Sequence, residues 1–345
     1  MNVYVGMSGG VDSSVTAALL KQQGYDATGV YMKNWTQDLP GMKCPWADDL
    51  ADAKRVAVQL DIPFKVFDFQ KEYKQNVVDY MVAEYKAGRT PNPDIMCNQE
   101  IKFKLFLETS LADGAEAIAT GHYARVKNGQ LLAGVDKNKD QTYFLYRVTE
   151  DALKKSFMPI GELTKPEVRE KAADLGLATA TKKDSQGICF VGEVGIKDFL
   201  QQYVQAAPGD IIDKATGKVL GQHDGAIFYT IGQRHGLGVG GGLPYYVVSK
   251  DMDKNIVYVT TNLNDENLWR DTLELNQLHW INDAPESGKK YQVRTRYRAP
   301  LLEAELQLQK NTATLTLTQP ERAITAGQSA VIYDGDCVVG GGIIS

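Results

Sequence analysis

The chain has 345 residues, 43% of them apolar and 23% charged, with a net charge of −5; this is the profile of a folded protein of two or three domains. No apolar run approaches the roughly 18 residues of a membrane span. No basic-then-apolar leader opens the chain, and four cysteines in this length are not a disulfide scaffold. A cytoplasmic protein is expected, and the acidic balance excludes wholesale coating of nucleic acid while leaving room for a local basic stripe.

In chain order, Val3 to Met7 is an apolar run that predicts a strand, and Val11 to Gln23 carries a helical stripe (Val11, Val15, Ala18, Leu19) closed by Gly24. Ala27 to Met32 predicts a second strand. Ala47 to Leu60 predicts a helix with Leu50, Ala53, Ala57 and Leu60 on one face, and Ile62 to Phe69 a third strand. Helices are expected over Glu72–Lys86 and Asn98–Leu111, separated by the turn-rich "AGRTPNPDIMC", and a buried strand over Ala115–Thr120. This alternation predicts an α/β fold with a doubly wound parallel sheet over 1–195. The pattern then changes to short apolar runs broken by glycine, which we assign to a small mixed or β module over 196–268. From 269 to 345, "YQVRTRYRA", "AELQLQ" and "ATLTLT" alternate apolar and polar residues and predict a C-terminal β-barrel.

The stretch "GMSGGVDSS" joins the first strand to the first helix. A glycine-rich turn at a helix N-terminus presents backbone N–H groups and the positive end of the helix dipole to an anion. Gly9 and Gly10 permit close approach, and Ser8, Ser13 and Ser14 add hydroxyl donors. No Gly-Lys-Ser/Thr follows, which argues against transfer of a γ-phosphate. The segment resembles the PP-loop of the ATP pyrophosphatases, in which the loop holds the leaving pyrophosphate. On that resemblance Asp12 is the loop's acidic residue, near the Mg²⁺ that accompanies ATP. Met32 ends the second strand and Gly121 follows the fourth. The carboxyl ends of parallel strands form the ligand rim of such sheets, so both fall beside the loop.

Two cysteines stand in polar, turn-rich segments: Cys97 in "RTPNPDIMCNQEIKF" and Cys189 in "TKKDSQGICFVG". Cys97 directly precedes a predicted helix, whose dipole lowers a thiol pKa. Asp94 stands three residues away, within reach to act as an acid or base. Taken alone, each cysteine is equally a buried, inert thiol. Cys44, before Pro45, and Cys337, in "DCVVGGGIIS", fit that description better.

The whole chain resembles the tRNA-specific 2-thiouridylases, the MnmA/TrmU family. The motifs "GMSGGVDSSV", "GRTPNPDIMCNQEIKF", "ATGHYAR", "DKNKDQTYFL", "KKDSQGICF", "YTIGQRHGLG" and "RYR" occur in the family's order. The resemblance implies ATP-dependent 2-thiolation of the wobble uridine of tRNA, with Cys189 carrying a persulfide and Cys97 as its partner nucleophile. It implies ATP contacts at Gly6, Met7, Ser8, Gly9, Gly10, Val11, Asp12, Ser13, Met32 and Gly121. It implies target-base contacts at Asn92, Pro93 and Asp94. Further tRNA contacts fall at His122, Lys139, Asp140, Gln141, Arg296, Tyr297 and Gln328. The expected partners are the anticodon stem-loop of tRNA and a sulfur-donor protein, either a cysteine desulfurase or a sulfur relay protein. No membrane partner is expected, and the chain is expected to be a monomer.

The expected chemistry is transfer of AMP to the uracil O2, followed by attack of sulfur on C2. Cys97 either resolves the resulting disulfide or liberates hydrosulfide that attacks directly. The target nucleotide must leave its stack to enter such a pocket. On a regular strand, Arg294, Arg296 and Arg298 of "VRTRYRA" share one face suited to phosphates, with Tyr297 on the other. Only a strand end or bulge there lets Arg296 and Tyr297 meet RNA together. The competing readings are another PP-loop adenylating enzyme, an iron–sulfur-dependent tRNA thiolase with Asp94, Cys97 and Cys189 as cluster ligands (not favoured), and a non-catalytic ATP-dependent RNA-binding module. No CxxC pair is present, and no metal ligand other than Asp12 is proposed.

Overall fold

The structure, a computed structural model, describes residues 1–38, 44–184, 195–240 and 242–345. Strands β1 (Asn2–Gly6), β2 (Asp26–Lys33), β3 (Phe64–Asp68) and β4 (Ala117–Ala119) lie in one parallel sheet. Helices α1 (Val11–Gln22), α2 (Trp46–Gln59), α3 (70–86) and α4 (93–112) alternate with them. Strands β1, β2 and β4 are largely buried on both faces, which explains their apolar runs, whereas β3 forms an edge and is partly exposed. Val3 and Val5 of β1 point into a core with Val15, Ala53 and Val56, whereas Tyr4, between them, joins Met81, Ile101 and Phe106 on the other face.

The hairpin of β5 (Ala124–Lys127) and β6 (Gln130–Ala133) then leaves the sheet, and β7 (Ser156–Phe157) returns to it. The resulting order is β3-β2-β1-β4-β7, a doubly wound half-sheet. Helices α5 (Glu150–Lys154) and α6 (Lys165–Asp174) flank β7 in sequence. Thr164 and Glu167 form a capping box at the start of α6, with Pro166 in its first turn.

Helix α7 (Ile196–Leu200) opens the central module. Its sheet contains β8 (Gly209–Asp213), β9 (Val219–His223), β10 (Tyr246–Asp251) and β11 (Ile256–Thr260), in the order β10-β11-β8-β9. The C-terminal strands are β12 (Trp269–Trp280), β13 (Lys290–Arg294), β14 (Leu302–Leu308), β15 (Ala313–Arg322), β16 (Ser329–Asp334) and β17 (Cys337–Ile344). They run β12-β15-β14-β13-β16-β17, and β17 pairs back with β12, closing a six-stranded barrel. Leu273, Leu275, Leu306, Leu315 and Leu317 fill its interior at every second position, as the alternation demands.

The hairpin 124–133 pairs with β17 through Leu131 and Leu132 and extends the barrel's sheet. One expectation needs correction. The arginine stripe does not form, because β13 ends at Arg294 and residues 295–298 turn, with Arg298 at φ 61°. Arg294 is drawn inward onto Asp140, 3.0 Å away, while Arg296 is left exposed.

Candidate functional site

The Gly-rich turn sits at the carboxyl rim of the sheet. Gly9 has φ +75°, and a Cβ there would lie 2.4 Å from the carbonyl oxygen of Asp49, so both backbone conformation and space call for glycine. Gly10 is extended and caps α1. The Ser13 hydroxyl donates to the carbonyl of Gly10 and accepts from the Ser8 N–H, which fixes the curve of the turn. Met32 packs its methyl against Gly6. Gly121 abuts the first turn of α1: a Cβ would stand 2.8 Å from the Ser13 nitrogen. The expected ATP residues Gly6 to Ser13, Met32 and Gly121 therefore share one rim.

Reasoning from sequence missed Lys165. No lysine follows the turn in sequence, but the first residue of α6 brings one to it. The Lys165 Nζ lies 2.7 and 2.9 Å from the two carboxylate oxygens of Asp12 and 2.7 Å from Asp184. The Tyr123 hydroxyl donates to Asp12 at 2.7 Å, and burial together with that carboxylate holds the phenol protonated. Asp184 also binds Lys139 and Arg169, each at 2.7 Å. Burial pushes the Asp184 carboxyl up, but the bonds from Lys139 and Lys165 prevail and hold it at about 2.

The second part of the site is the start of α4. This helix begins at Pro93, with Asn92 as its cap accepting from the Ile95 N–H at 3.4 Å. The predicted start at Asn98 is therefore too late: the Asn-Pro pair read as a turn is the cap and first residue of the helix. Cys97 is not in front of the helix but in its second turn, where π-helical winding begins, and it is buried. The dipole argument weakens there, since the effect fades beyond the first turn. Asp94 is half-buried; burial pushes its carboxyl up, partly offset by the ammonium of Lys102.

Lys102, which sequence reasoning did not single out, lies 3.4 Å from His122 Nε2. His122 Nδ1 is 2.7 Å from the Thr120 hydroxyl, and the ring packs on Phe103. Burial, and then Lys102, hold this imidazole well below its usual pKa, so it is neutral at pH 7. Lys102 thus links the two parts of the site: its charge acts on Asp94, its ammonium meets His122, and the neighbouring Gly121 abuts the Gly-rich turn.

The segment that leads into α4 is held by all three parts of the chain. The Thr90 N–H donates to Ala326, and Gln328 Nε2 donates to the Thr90 carbonyl at 2.9 Å, both partners coming from the barrel. The Thr90 hydroxyl meets that of Thr230 in the central module at 3.2 Å. The expected RNA residues form a second group. Tyr297 packs on Phe144 with ring centroids 4.5 Å apart, and Arg298 lies over Tyr297 while donating to the carbonyl of Asn138. Asp140 is buried, bonded to Thr142 and Arg294, and Gln141 accepts from the Tyr123 N–H. The segments of Lys139–Gln141 and Arg296–Tyr297 are thus neighbours, joined by Asp140 and Arg294.

Cys189 lies outside the described residues. Among the described residues, no group of three His, Cys, Asp or Glu side chains converges on a point.

Three family models match in order: "tRNA methyl transferase HUP domain" over 1–193, "tRNA methyl transferase PRC-barrel domain" over 197–261 and "Aminomethyltransferase beta-barrel domain" over 270–344. A tRNA-specific 2-thiouridylase MnmA of Bacillus cytotoxicus is 49% identical, covering 99% of this chain and 94% of the relative. One of Streptococcus sanguinis is 48% identical, covering 100% and 95%. The chain belongs to the tRNA-specific 2-thiouridylase family. A solved 4-thiouridine synthetase–RNA complex with bound ATP aligns over 59% of this chain and 50% of its own at 18% identity, with a TM-score of 0.38. No described helix is long and apolar enough to cross a membrane.

Proposed function

We propose that this 2-thiouridylase acts on the wobble uridine of tRNA, with ATP held in the turn Gly6–Ser13 and sulfur delivered from a persulfide on Cys189. The observation that carries this reading is that Lys102 meets His122, whose neighbour Gly121 abuts the Gly-rich turn, while its charge acts on Asp94 near Cys97. It lets one bound uracil face both an anion site and a thiol-bearing helix. Uracil O2 attacks the α-phosphorus, pyrophosphate leaves with the bond's electron pair, and the N3 proton passes to Asp94. The terminal sulfur of the Cys189 persulfide then attacks C2, and AMP departs with the uracil oxygen. The Cys97 thiolate attacks the Cys189 sulfur, breaks the S–S bond and leaves C2=S. The Cys97–Cys189 disulfide is finally reduced by an external thiol.

Asn92, Pro93 and Asp94 receive the flipped base. Arg296, Tyr297 and Lys139 contact the RNA directly, whereas His122, Asp140, Gln141 and Gln328 hold the contacting segments in place, as their internal bonds suggest. Mg²⁺ accompanies ATP. A cysteine desulfurase or sulfur relay protein loads Cys189, and the enzyme works as a cytoplasmic monomer.

The test is nucleoside mass spectrometry of tRNA incubated with the protein, ATP, Mg²⁺ and a desulfurase with cysteine. 2-Thiouridine should appear at the wobble position in step with AMP and pyrophosphate. AMP formation without 2-thiouridine in any tRNA would refute the assignment. Tandem mass spectrometry of the donor-treated protein should find the sulfane sulfur on Cys189; finding it on Cys44 or Cys337 instead overturns the persulfide role. An anaerobic iron and sulfide assay that finds a stoichiometric cluster would favour the iron–sulfur reading.

A further inference from the structure

The turn Gly6–Ser13 offers backbone donors and hydroxyls but no cation of its own, although the pyrophosphate it is proposed to hold leaves with about three negative charges. We propose that Lys165 supplies the missing cation and is a pyrophosphate-binding residue of the ATP site, standing in from a distant helix for the lysine that other phosphate loops carry within themselves.

Several observations carry this. The Lys165 ammonium is within 3 Å of both oxygens of Asp12, the second residue of α1, so it is already at the mouth of the turn. Its stem is almost wholly buried, with the side chain 10% exposed, so little conformational freedom remains to be lost when a ligand arrives. Its backbone is fixed by the Thr164–Glu167 capping box and by the Lys165 N–H donating to Asp136 at 2.9 Å. The ammonium also lies over the Tyr123 ring, 5.7 Å from its centroid. Among the described residues, the charged groups facing one another here are Asp12, Asp136 and Asp184 against Lys139, Lys165 and Arg169. They balance in number, so no cation is surplus until a ligand competes for one. Lys165 is the cation that reaches the loop; the other two end on Asp184. A phosphate anion entering the turn exchanges with the Asp12 carboxylate for the same ammonium, trading one charge-assisted contact for another. Arginine in this place would form a fork suited to one carboxylate. The compact ammonium can instead swing between neighbours about a fixed stem.

The inference rests on the reading that ATP binds in this turn, so both are tested together. Pyrophosphate is titrated against wild-type protein and the Lys165→Met, Lys165→Arg and Gly121→Ala variants by calorimetry, and product inhibition of AMP formation is measured in parallel. Lys165→Met should weaken pyrophosphate binding at least about 30-fold, the range for removing one partner of a buried charged contact, with tRNA affinity unchanged. Lys165→Arg, which keeps the charge but whose fork is held by one carboxylate, should recover only part of it. Should Lys165→Met fail to fold, Lys165→Gln, which keeps a donor for Asp12, is read through loss of the thermal shift that pyrophosphate induces. If wild type binds pyrophosphate and Gly121→Ala weakens it while the Lys165 variants bind normally, the lysine is purely structural and the inference is overturned alone. If wild type and all variants bind neither ATP nor pyrophosphate, the ATP-site reading itself fails.

Discussion

Gly121→Ala tests whether the Gly-rich turn is positioned by the sheet rim behind it. The backbone angles of Gly121 are open to any residue, so the effect of alanine is purely one of space. The added Cβ would stand 2.8 Å from the Ser13 nitrogen and 2.9 Å from the Asp12 carbonyl carbon. Opening 2.8 Å to the 3.4 Å at which ordinary contact begins takes about 0.6 Å. The obstacle is main chain rather than a side-chain tip, so α1 itself must move off β4. Overpacking of this kind costs about 1–3 kcal/mol. A misplacement of about 1 Å at a reacting site can cost 100-fold, so a shift of about 0.6 Å should cost roughly tenfold in adenylation. The assay is AMP release in the presence of tRNA, with a chemical melt alongside. Gly240→Ala, where nothing lies within 4 Å, is the control and should be silent in both. Wild-type AMP release at wild-type stability would show that the turn does not depend on this contact.

Arg296→Ala should weaken tRNA binding and lower its salt slope by about one unit, because one exposed phosphate-seeking cation is lost; an unchanged slope removes Arg296 from the RNA face. Gln328→Ala deletes the bond to the Thr90 carbonyl and should lower stability by about 1 kcal/mol and slow thiolation with little change in tRNA affinity; a pure affinity loss in a filter-binding assay contradicts the holding role. His122 is held neutral in the folded protein, its pKa depressed from 6.5 by burial and then by Lys102. The unfolded chain therefore binds the extra proton first, and wild-type stability is full above about pH 6.5 and falls as pH drops below it, by up to about 1.4 kcal/mol per pH unit. Urea midpoints at pH 7.5 and 5.5 should show this fall in wild type and a smaller one in His122→Gln, and parallel falls would mean that His122 is not the group responsible.

What was legible in the sequence was what is local. Strand, Gly-rich turn and helix over 2–22 follow from apolar runs and glycine placement within twenty residues. The parallel sheet follows from repeating that unit, and the barrel from alternation such as "ATLTLT". Where the sequence misled, two local signals competed or the partner was remote. Asn92-Pro93 carries turn chemistry, and the same chemistry caps a helix, so the start of α4 was placed five residues late. Arg294, Arg296 and Arg298 alternate as on a strand, but the Asp140 carboxylate, 154 residues away, captures the first, and the chain turns directly after it. Lys165 stands 153 residues from Asp12; its local context, Thr-Lys-Pro-Glu, announces only a helix start. The hairpin 124–133 has strands of four residues whose outer partner, β17, arrives two hundred residues later.

Some of the remote pairings bear on how the enzyme is built, because they tie the C-terminal half to segments of the sheet domain that carry a candidate function. Arg294 fixes Asp140 and with it the Lys139–Gln141 turn; Gln328 and Ala326 fix Thr90, two residues before Asn92. Thr230 of the central module meets the same Thr90 from its other side. A hydrogen bond of this kind contributes only about 1 kcal/mol net, too little to hold domains together alone. Here the bonds are backed by close packing: a Cβ on Gly327 would lie 2.9 Å from the Thr90 nitrogen, and one on Gly232 would lie 2.3 Å from the Ala323 side chain. The segment Asn92–Asp94 is therefore set by three elements at once. If Asn92–Asp94 receive the base as proposed, a shift of the barrel or of the central module reaches them through Thr90.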